Sequence, residues 1–325
     1  MHTPDRVIER LYDHDRWWSM EELAGDVGAG AVAMDRALAE LGRRGHRLEF
    51  HPARGIRLGR PPALDAWLIE RDLGTSRVGK HVLCFPVVDS TNDTAAKAAR
   101  QSDSDGLVVL AEAQRDGRGR RGRPWLSPPG ANVLMSVLLK DPRGVLVHEA
   151  VTVAAGLAVA EGIEHALPHT VACRLKWPND VLLDAGKVAG ILVERRQLQR
   201  TAHLIIGIGI NVNAHPPRAD LTAAAASLAA ALGEQLDRIP IVRSVLRRLD
   251  AWIALLSHTP ATAVERIRSG WKNRCAMLNQ RHTIRTGRRQ VTGRVVDIDP
   301  VEGLALLTDA GQQVRILGRE ATVVE

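Results

Sequence analysis

Aromatic residues other than tryptophan are nearly absent: the 325 residues hold one Tyr and two Phe beside seven Trp. Cores must therefore be built mainly from Leu, Val, Ile and Ala. Cysteine is scarce as well. Cys84, Cys173 and Cys275 lie far apart, with no C-x-x-C pair and no metal-ligand spacing. An odd, low count fits a reducing compartment rather than a disulfide framework. No apolar run is long enough for a membrane, since Val151–Ala160 is only about half of the ~20 residues a span needs. The opening MHTPDRVIER is too charged for the apolar core of a signal peptide. Two nucleotide motifs are also missing, the P-loop G-x-x-x-x-G-K-[ST] and a G-x-G-x-x-G that opens a helix with an acidic partner downstream. Any nucleotide site must use another architecture. These absences lead us to expect a cytoplasmic protein without a membrane partner.

What is present is ordinary globular composition, 45% hydrophobic and 25% charged, with a net charge of +7 from 44 basic and 37 acidic residues. A basic excess favours anionic partners, and its placement matters more than its sum. The length allows two or three domains at roughly 100–200 residues each.

Residues 1–60 read as three helices and a hairpin. Val7, Ile8 and Leu11 form an apolar stripe at helical spacing, and Ser19-Met20-Glu21-Glu22 has the form of a capping box opening a second helix. Gly28-Ala29-Gly30 breaks that helix. A third carries Met34, Leu38 and Leu41 on one face and Arg36, Arg43 and Arg44 elsewhere. Leu48–Phe50 and Ile56–Leu58 alternate as short strands around the turn His51–Gly55. The order fits a winged helix-turn-helix whose third helix and wing meet DNA, with Arg36, Arg43 and Arg44 as contacts. A helical protein-interaction module with a solvated basic face fits it too. Gly59-Arg60-Pro61-Pro62 reads as a linker.

From 64 to 270, strand-like runs (Val82–Val88, Leu107–Ala111, Val133–Leu139, Val188–Val193, Leu204–Ile210) alternate with helical ones (Thr91–Gln101, Glu149–His165, Thr222–Leu232, Ile241–Leu256), the last leading to Trp271. This predicts an α/β domain with a central mixed sheet flanked by helices. Residues 271–325 contain four alternating stretches, His282–Arg285, Val291–Asp297, Leu304–Thr308 and Gln313–Leu317, and predict a small antiparallel barrel.

Four motifs carry chemistry. Gly117–Trp125, GRGRRGRPW, follows a strand; its glycines permit close backbone approach to an anion and its arginines permit bidentate bonds to phosphate or carboxylate. An RNA-binding tract, a localisation signal or a solvated loop would read the same way. Lys176-Trp177-Pro178-Asn179-Asp180-Val181 surrounds a Trp-Pro turn and precedes Lys187, which opens the apolar strand KVAGILVE. A lysine there suits charge growing on a carboxyl or phosphoryl oxygen, or is simply solvated at a strand end. Asp89-Ser90-Thr91-Asn92-Asp93 lies at a strand-to-helix junction and serves either as a cap or as a donor set for a polar ligand. Gly207-Ile208-Gly209-Ile210-Asn211 places glycines in a strand, a sign of close approach by a neighbour or ligand.

In this order the motifs resemble the biotin–protein ligases that double as biotin operon repressors. The resemblance covers nearly the whole chain and implies a class II synthetase-like catalytic domain and an SH3-like C-terminal barrel. It implies that Ser90, Thr91, Asn92, Gln114 and Arg118 meet biotin, with Gly117, Gly119, Arg120 and Lys187 around its tail. It implies an ATP or adenylate site from Arg118, Arg120, Arg121, Trp125, Lys176, Asn179, Asp180 and Asn211, and catalytic roles for Arg118, Lys176 and Lys187. Biotin and ATP with Mg2+ are the implied small molecules. The implied macromolecular partners are the biotin carboxyl carrier protein of acetyl-CoA carboxylase, operator DNA, and a second copy in a ligand-promoted homodimer. A lipoate ligase of the same fold, or a ligand-sensing repressor without ligation, are the alternatives. Two departures stand out. Pro124 replaces a basic residue found in some members, and Ala214–Leu236 holds no aromatic side chain to cover an adenine.

Overall fold

The computed structural model describes residues 2–100, 104–141, 144–184, 186–198, 201–216, 224–318 and 321–324. The first element is helix α1 (Thr3–Asp13), which buries Val7, Ile8 and Leu11. Helix α2 (Met20–Val27) starts where Ser19 Oγ accepts the Glu22 N–H at 3.1 Å and stops at Gly28, whose φ of 61° suits a residue without Cβ. Helix α3 (Ala31–Arg43) faces inward through Met34, Ala37 and Leu41. Strands β1 (Leu48–His51) and β2 (Gly55–Leu58) form the expected hairpin. This unit packs against the next one through polar contacts. Tyr12 donates to Asp237 at 2.6 Å, Trp67 Nε1 donates to Glu9 at 3.2 Å, and Arg71 pairs with Asp13.

After the short helix α4 (Ala66–Glu70), capped by Asp65, comes a seven-stranded sheet. Its strands are β3 (Val82–Val88), β4 (Val108–Gln114), β5 (Val133–Lys140), β6 (Cys173–Lys176), β7 (Asp180–Leu183), β8 (Gly186–Leu198) and β9 (Thr201–Ile210). The spatial order is β3-β4-β5-β9-β8-β7-β6, parallel only between β3 and β4, which helix α5 (Thr91–Ala98) joins. The mixed sheet is therefore as expected. The β6–β7 hairpin was not: Lys176 to Asp180 read as an isolated turn because each arm is only four residues long.

Helix α6 (His148–Ala166) is apolar almost all round, from Val151 to Ile163, because the sheet covers one side and helix α8 (Arg238–His258) the other. Gly162 permits that approach, as a Cβ there would stand 2.7 Å from the Val245 Cα. Helix α9 (Pro260–Arg274) was not anticipated as a separate element, although Ala263, Ile267 and Trp271 recur at intervals of four. Trp271 is fully buried and donates its Nε1–H to the Val153 carbonyl at 2.7 Å. The alanine tract is helical only in α7 (Leu228–Leu232); residues 217–223 lie outside the described ones. Before α7, backbone pairing to Lys187 from Ala224 and Ala226 overrides alanine's helix propensity.

The last unit is an antiparallel sheet of β10 (Arg281–Thr286), β11 (Arg289–Asp299), β12 (Gly303–Thr308), β13 (Gln313–Ile316) and β14 (Ala321–Val324), in the order β13-β12-β11-β10-β14. Among the described residues it is an open sheet rather than a closed barrel. Strand β14 pairs only with β10 and β13 only with β12, so the two edges do not meet. No described helix is long and apolar enough to cross a membrane.

One buried ion pair ties these layers together. Arg238, 2% exposed, donates to both Glu112 oxygens at 2.6 and 3.1 Å and to the carbonyls of Asn132 and Pro62, while Glu112 accepts the Leu64 N–H at 2.8 Å. Removing one partner leaves a buried charge uncompensated. Arg238→Met should therefore lower unfolding free energy by about 3–5 kcal/mol in denaturant titration, and adding Glu112→Gln should recover part of that loss.

Candidate active site

The sheet presents glycines where other strands present side chains. Gly190 on β8 and Gly209 on β9 are register partners, and Gly207 faces Leu192. A Cβ on Gly209 would sit 2.4 Å from the Trp125 ring and one on Gly190 2.9 Å, so the indole packs directly against this bare patch. A Cβ on Gly207 would meet Asn92 Oδ1 at 2.6 Å. The expected close approach at these glycines is thus made by Trp125 and Asn92.

Around this floor converge Ser90, Thr91, Asn92, Gln114, Arg118, Gly119, Arg120, Asn179 and Lys187, walled by Leu134, Met135, Ile191 and Leu192. Ser90 is the N-cap of α5, yet its hydroxyl makes no capping bond and remains available at the cavity. Gln114 Oε1 accepts the Thr91 N–H at 2.8 Å. The cavity is partly open to solvent and holds about 60 Å³, room for a few waters.

The loop Gly117–Trp125 closes on itself as a narrow turn. Trp125 N donates to Gly117 O at 2.8 Å and Gly119 N to Arg123 O at 2.7 Å, around the turn Arg120–Gly122, where Arg121 has a φ of 59°. Its arginines separate by task. Arg118 pairs with Asp93 at 2.8 Å. Arg120 turns inward to Asn179 Oδ1 at 3.0 Å and to the Gly318 and Ala321 carbonyls, and its burial pushes the guanidinium below its usual pKa. Arg121 reaches Thr322. The C-terminal strand thereby holds the loop from one side and α5 from the other.

Lys187 forms an ion pair with Asp180 at 2.6 Å and stands 5.4 Å from the Trp125 ring centroid. Five expected site residues do not line the cavity, namely Gly117, Arg121, Lys176, Asp180 and Asn211, although Asp180 pairs with Lys187, which does. Lys176, opposite Asp180 in the β6–β7 register, acts on His282, whose pKa is lowered by burial and by that lysine. Asn211 spends its amide on the Lys187 and Ala226 carbonyls at 3.3 and 3.2 Å, holding the 224–226 segment to β8. Gly117 belongs to the turn. The Asn92 side chain reaches the cavity, but its polar atoms are taken by Glu194 and Ser136. Of the residues expected at DNA, Arg36 is exposed and Arg43 pairs with Glu40 at 2.6 Å. Arg44 turns back to Asp5 and Asp65 at 2.9 and 3.5 Å, a role inside the fold. Ser136 and Arg196 were not singled out from the sequence, and Asp93, though part of the Asp89–Asp93 motif, was given no role of its own.

The bond from Arg118 holds the Asp93 carboxyl at about 2, against burial, with Arg196 helping. A depressed carboxyl stabilises the closed loop above its unfolded pKa of about 3.9, and that contribution disappears as pH falls through the folded value. Intrinsically corrected hydrogen exchange of residues 117–125 should therefore stay flat between pH 4.5 and 8. Asp93→Asn should accelerate it roughly two- to fivefold, the scale of a half-exposed pair.

The profile of the Biotin/lipoate A/B protein ligase family matches residues 84–211. The bifunctional ligase/repressor BirA of Bacillus subtilis is 34% identical over 232 residues, covering 70% of this chain and 71% of that protein. The biotin–[acetyl-CoA-carboxylase] ligase of Paracoccus denitrificans is 33% identical over 230 residues, covering 70% of this chain and 94% of that one. Among solved structures, the biotin protein ligase of Aquifex aeolicus in complex with biotin and ATP superposes with a TM-score of 0.64 at 27% identity, covering 76% of this chain and 99% of that one. With relatives of one kind matching at a third identity over more than two thirds of the chain, the chain belongs to the biotin–protein ligase family.

Proposed function

We propose that this protein joins biotin to a lysine of the biotin carboxyl carrier protein of acetyl-CoA carboxylase in two steps. The biotin carboxylate oxygen attacks the α-phosphorus of ATP and pyrophosphate leaves, giving biotinyl-adenylate. The acceptor amine then attacks the acyl carbon, and AMP leaves with the bonding pair. The observation that carries this reading is the convergence of Ser90, Thr91 and Gln114 with Arg118 and Lys187 around one cavity. A polar, uncharged ring needs fixed donors and acceptors because unpaired buried groups are costly. The charged end needs cations where negative charge develops.

In this scheme Lys187 leaves Asp180 for the carboxyl and phosphoryl oxygens. Arg118, Arg120 and Arg121 fold over the tail and adenylate, keeping water from the mixed anhydride. Asn179 and Asp180 arrange the phosphates, with Lys176 adding charge from the neighbouring hairpin. Magnesium is read as arriving on the ATP phosphates, since such ions keep several waters and need only one or two carboxylates.

Residues 1–60 are read as a winged helix-turn-helix for operator DNA, with Arg36 and Arg43 outward; the repressor name of the Bacillus subtilis relative supports this. Residues 64–270 form the catalytic domain, and 271–325 an SH3-like module in which the sheet edges stay open. A ligand-promoted homodimer completes the reading, as symmetric operators pair with two-fold proteins.

Incubation with ATP, biotin and a carrier domain should add one biotinyl group to the carrier by mass spectrometry, and lipoate should not replace biotin. No mass gain would sink this function. Lys187→Ala should slow adenylate formation by about 10²–10³, measured as pyrophosphate release. Gly209→Ala should displace Trp125 and raise the biotin KM roughly tenfold, or about 1.4 kcal/mol, with little change in Tm.

A further inference from the structure

One polar chain beneath the cavity has no place in the scheme so far. It starts at Glu194 on β8, whose Oε2 accepts from Asn92 Nδ2 at 2.7 Å. A carboxylate only accepts, so the Asn92 NH2 must face it and the Asn92 Oδ1 must face away. That oxygen lies 2.6 Å from Ser136 Oγ, a fully buried side chain on β5. Ser136 has one proton, which Asn92 Oδ1 takes. The other contact of Ser136, 2.7 Å to Thr91 Oγ1, is then one in which Thr91 donates. Gln114 Oε1 accepts from the Thr91 backbone N–H at 2.8 Å and lies 3.1 Å from Thr91 Oγ1, whose single proton goes to the nearer Ser136. The cavity end is left with the lone pairs of the Thr91 hydroxyl as acceptor, and with the Gln114 NH2 and Ser90 hydroxyl as donors. A cyclic urea, with ring N–H groups and one carbonyl, requires that arrangement.

Glu194 has a second branch. Arg196 Nη2 stands 3.1 Å from Glu194 Oε2 and 2.8 Å from Asp93 Oδ1, and Asp93 Oδ2 holds Arg118 of the loop at 2.8 Å. Neither Glu194 nor Ser136 lines the cavity, so both act through other residues.

We propose that Glu194 is a positioning residue that sets the donor–acceptor polarity of the biotin head pocket through Asn92, Ser136 and Thr91, and tethers the arginine loop through Arg196 and Asp93. This rests on the biotin-ligase reading. Without Glu194 the Asn92 amide is free to flip, the Ser136 proton turns to Thr91 and the Thr91 proton turns to Gln114 Oε1, so that Ser136 occupies a Thr91 lone pair that the ring N–H groups would use. The loop tether through Arg196 weakens independently.

The test uses the full chain and compares Glu194→Ala, Glu194→Gln and Ser136→Ala in biotin-dependent pyrophosphate release. Glu194→Ala and Ser136→Ala should raise the biotin KM about tenfold, the effect of one misdirected hydrogen bond, with ATP KM and kcat within about threefold. Glu194→Gln keeps an acceptor for Asn92 and loses the charge facing Arg196. Its biotin KM should stay near wild type, while hydrogen exchange in residues 117–125 quickens as in Asp93→Asn. An unchanged biotin KM in Ser136→Ala, equal rises in biotin and ATP KM, or Glu194→Gln as impaired as Glu194→Ala in biotin KM would each overturn the proposal. If Glu194→Ala does not fold, the other two variants decide. A wild-type chain that releases no pyrophosphate with biotin overturns the ligase reading itself, a distinct result.

Discussion

The register of β8 against β9 is the constraint on which the site depends. Pairing Gly190 with Gly209, and Leu192 with Gly207, clears one stretch of sheet of side chains and sets Trp125 and Asn92 directly on backbone. Because side chains alternate across a strand, a slip of one residue would turn Ile208 and Ile210 to the site and bury the glycines against α6. The long antiparallel ladder, the apolar face against α6 and the segment 224–226 on Lys187 all hold this register. Asn211 takes part by fastening that segment, which makes it a support for the strand that carries Lys187.

On this platform the charges are arranged as exchangeable pairs. Arg118 rests on Asp93 and Lys187 on Asp180, each cation already facing the cavity but neutralised by a neighbour. The basic loop, ambiguous as a sequence, thereby gains a definite anionic counterpart in its own fold. Its outer end is fastened to the C-terminal strand through Arg120 and Arg121, which connects the last sheet to the cavity despite its distance along the chain.

Much of this was legible in residues alone. The strands from Val82 to Ile210 and helices α5, α6 and α8 announce themselves by apolar period and by turn residues. The motif residues Ser90, Thr91, Gln114, Arg118, Asn179 and Lys187 do meet around one cavity. What escaped had weak local signals: arms of four residues in β6 and β7, a helix α9 that a single Thr259 separates from α8, and an alanine tract whose propensity lost to pairing with Lys187. Lys176 lies off the cavity and Arg44 turns into the fold for a different reason. Charge and position on an element do not say which way a long side chain turns, and His282 and Asp5 lie more than 30 residues away.

Sequence alone pointed to the kind of protein, because the order of its glycine, arginine and Trp-Pro motifs resembles that of one family. Only the tertiary structure decided how those groups divide their work. The chain from Glu194 through Asn92 and Ser136 to Thr91 spans β8, α5 and β5, three elements far apart in the chain. Hydrogen-bond polarity travels through contact in space, and no spacing along a chain encodes it.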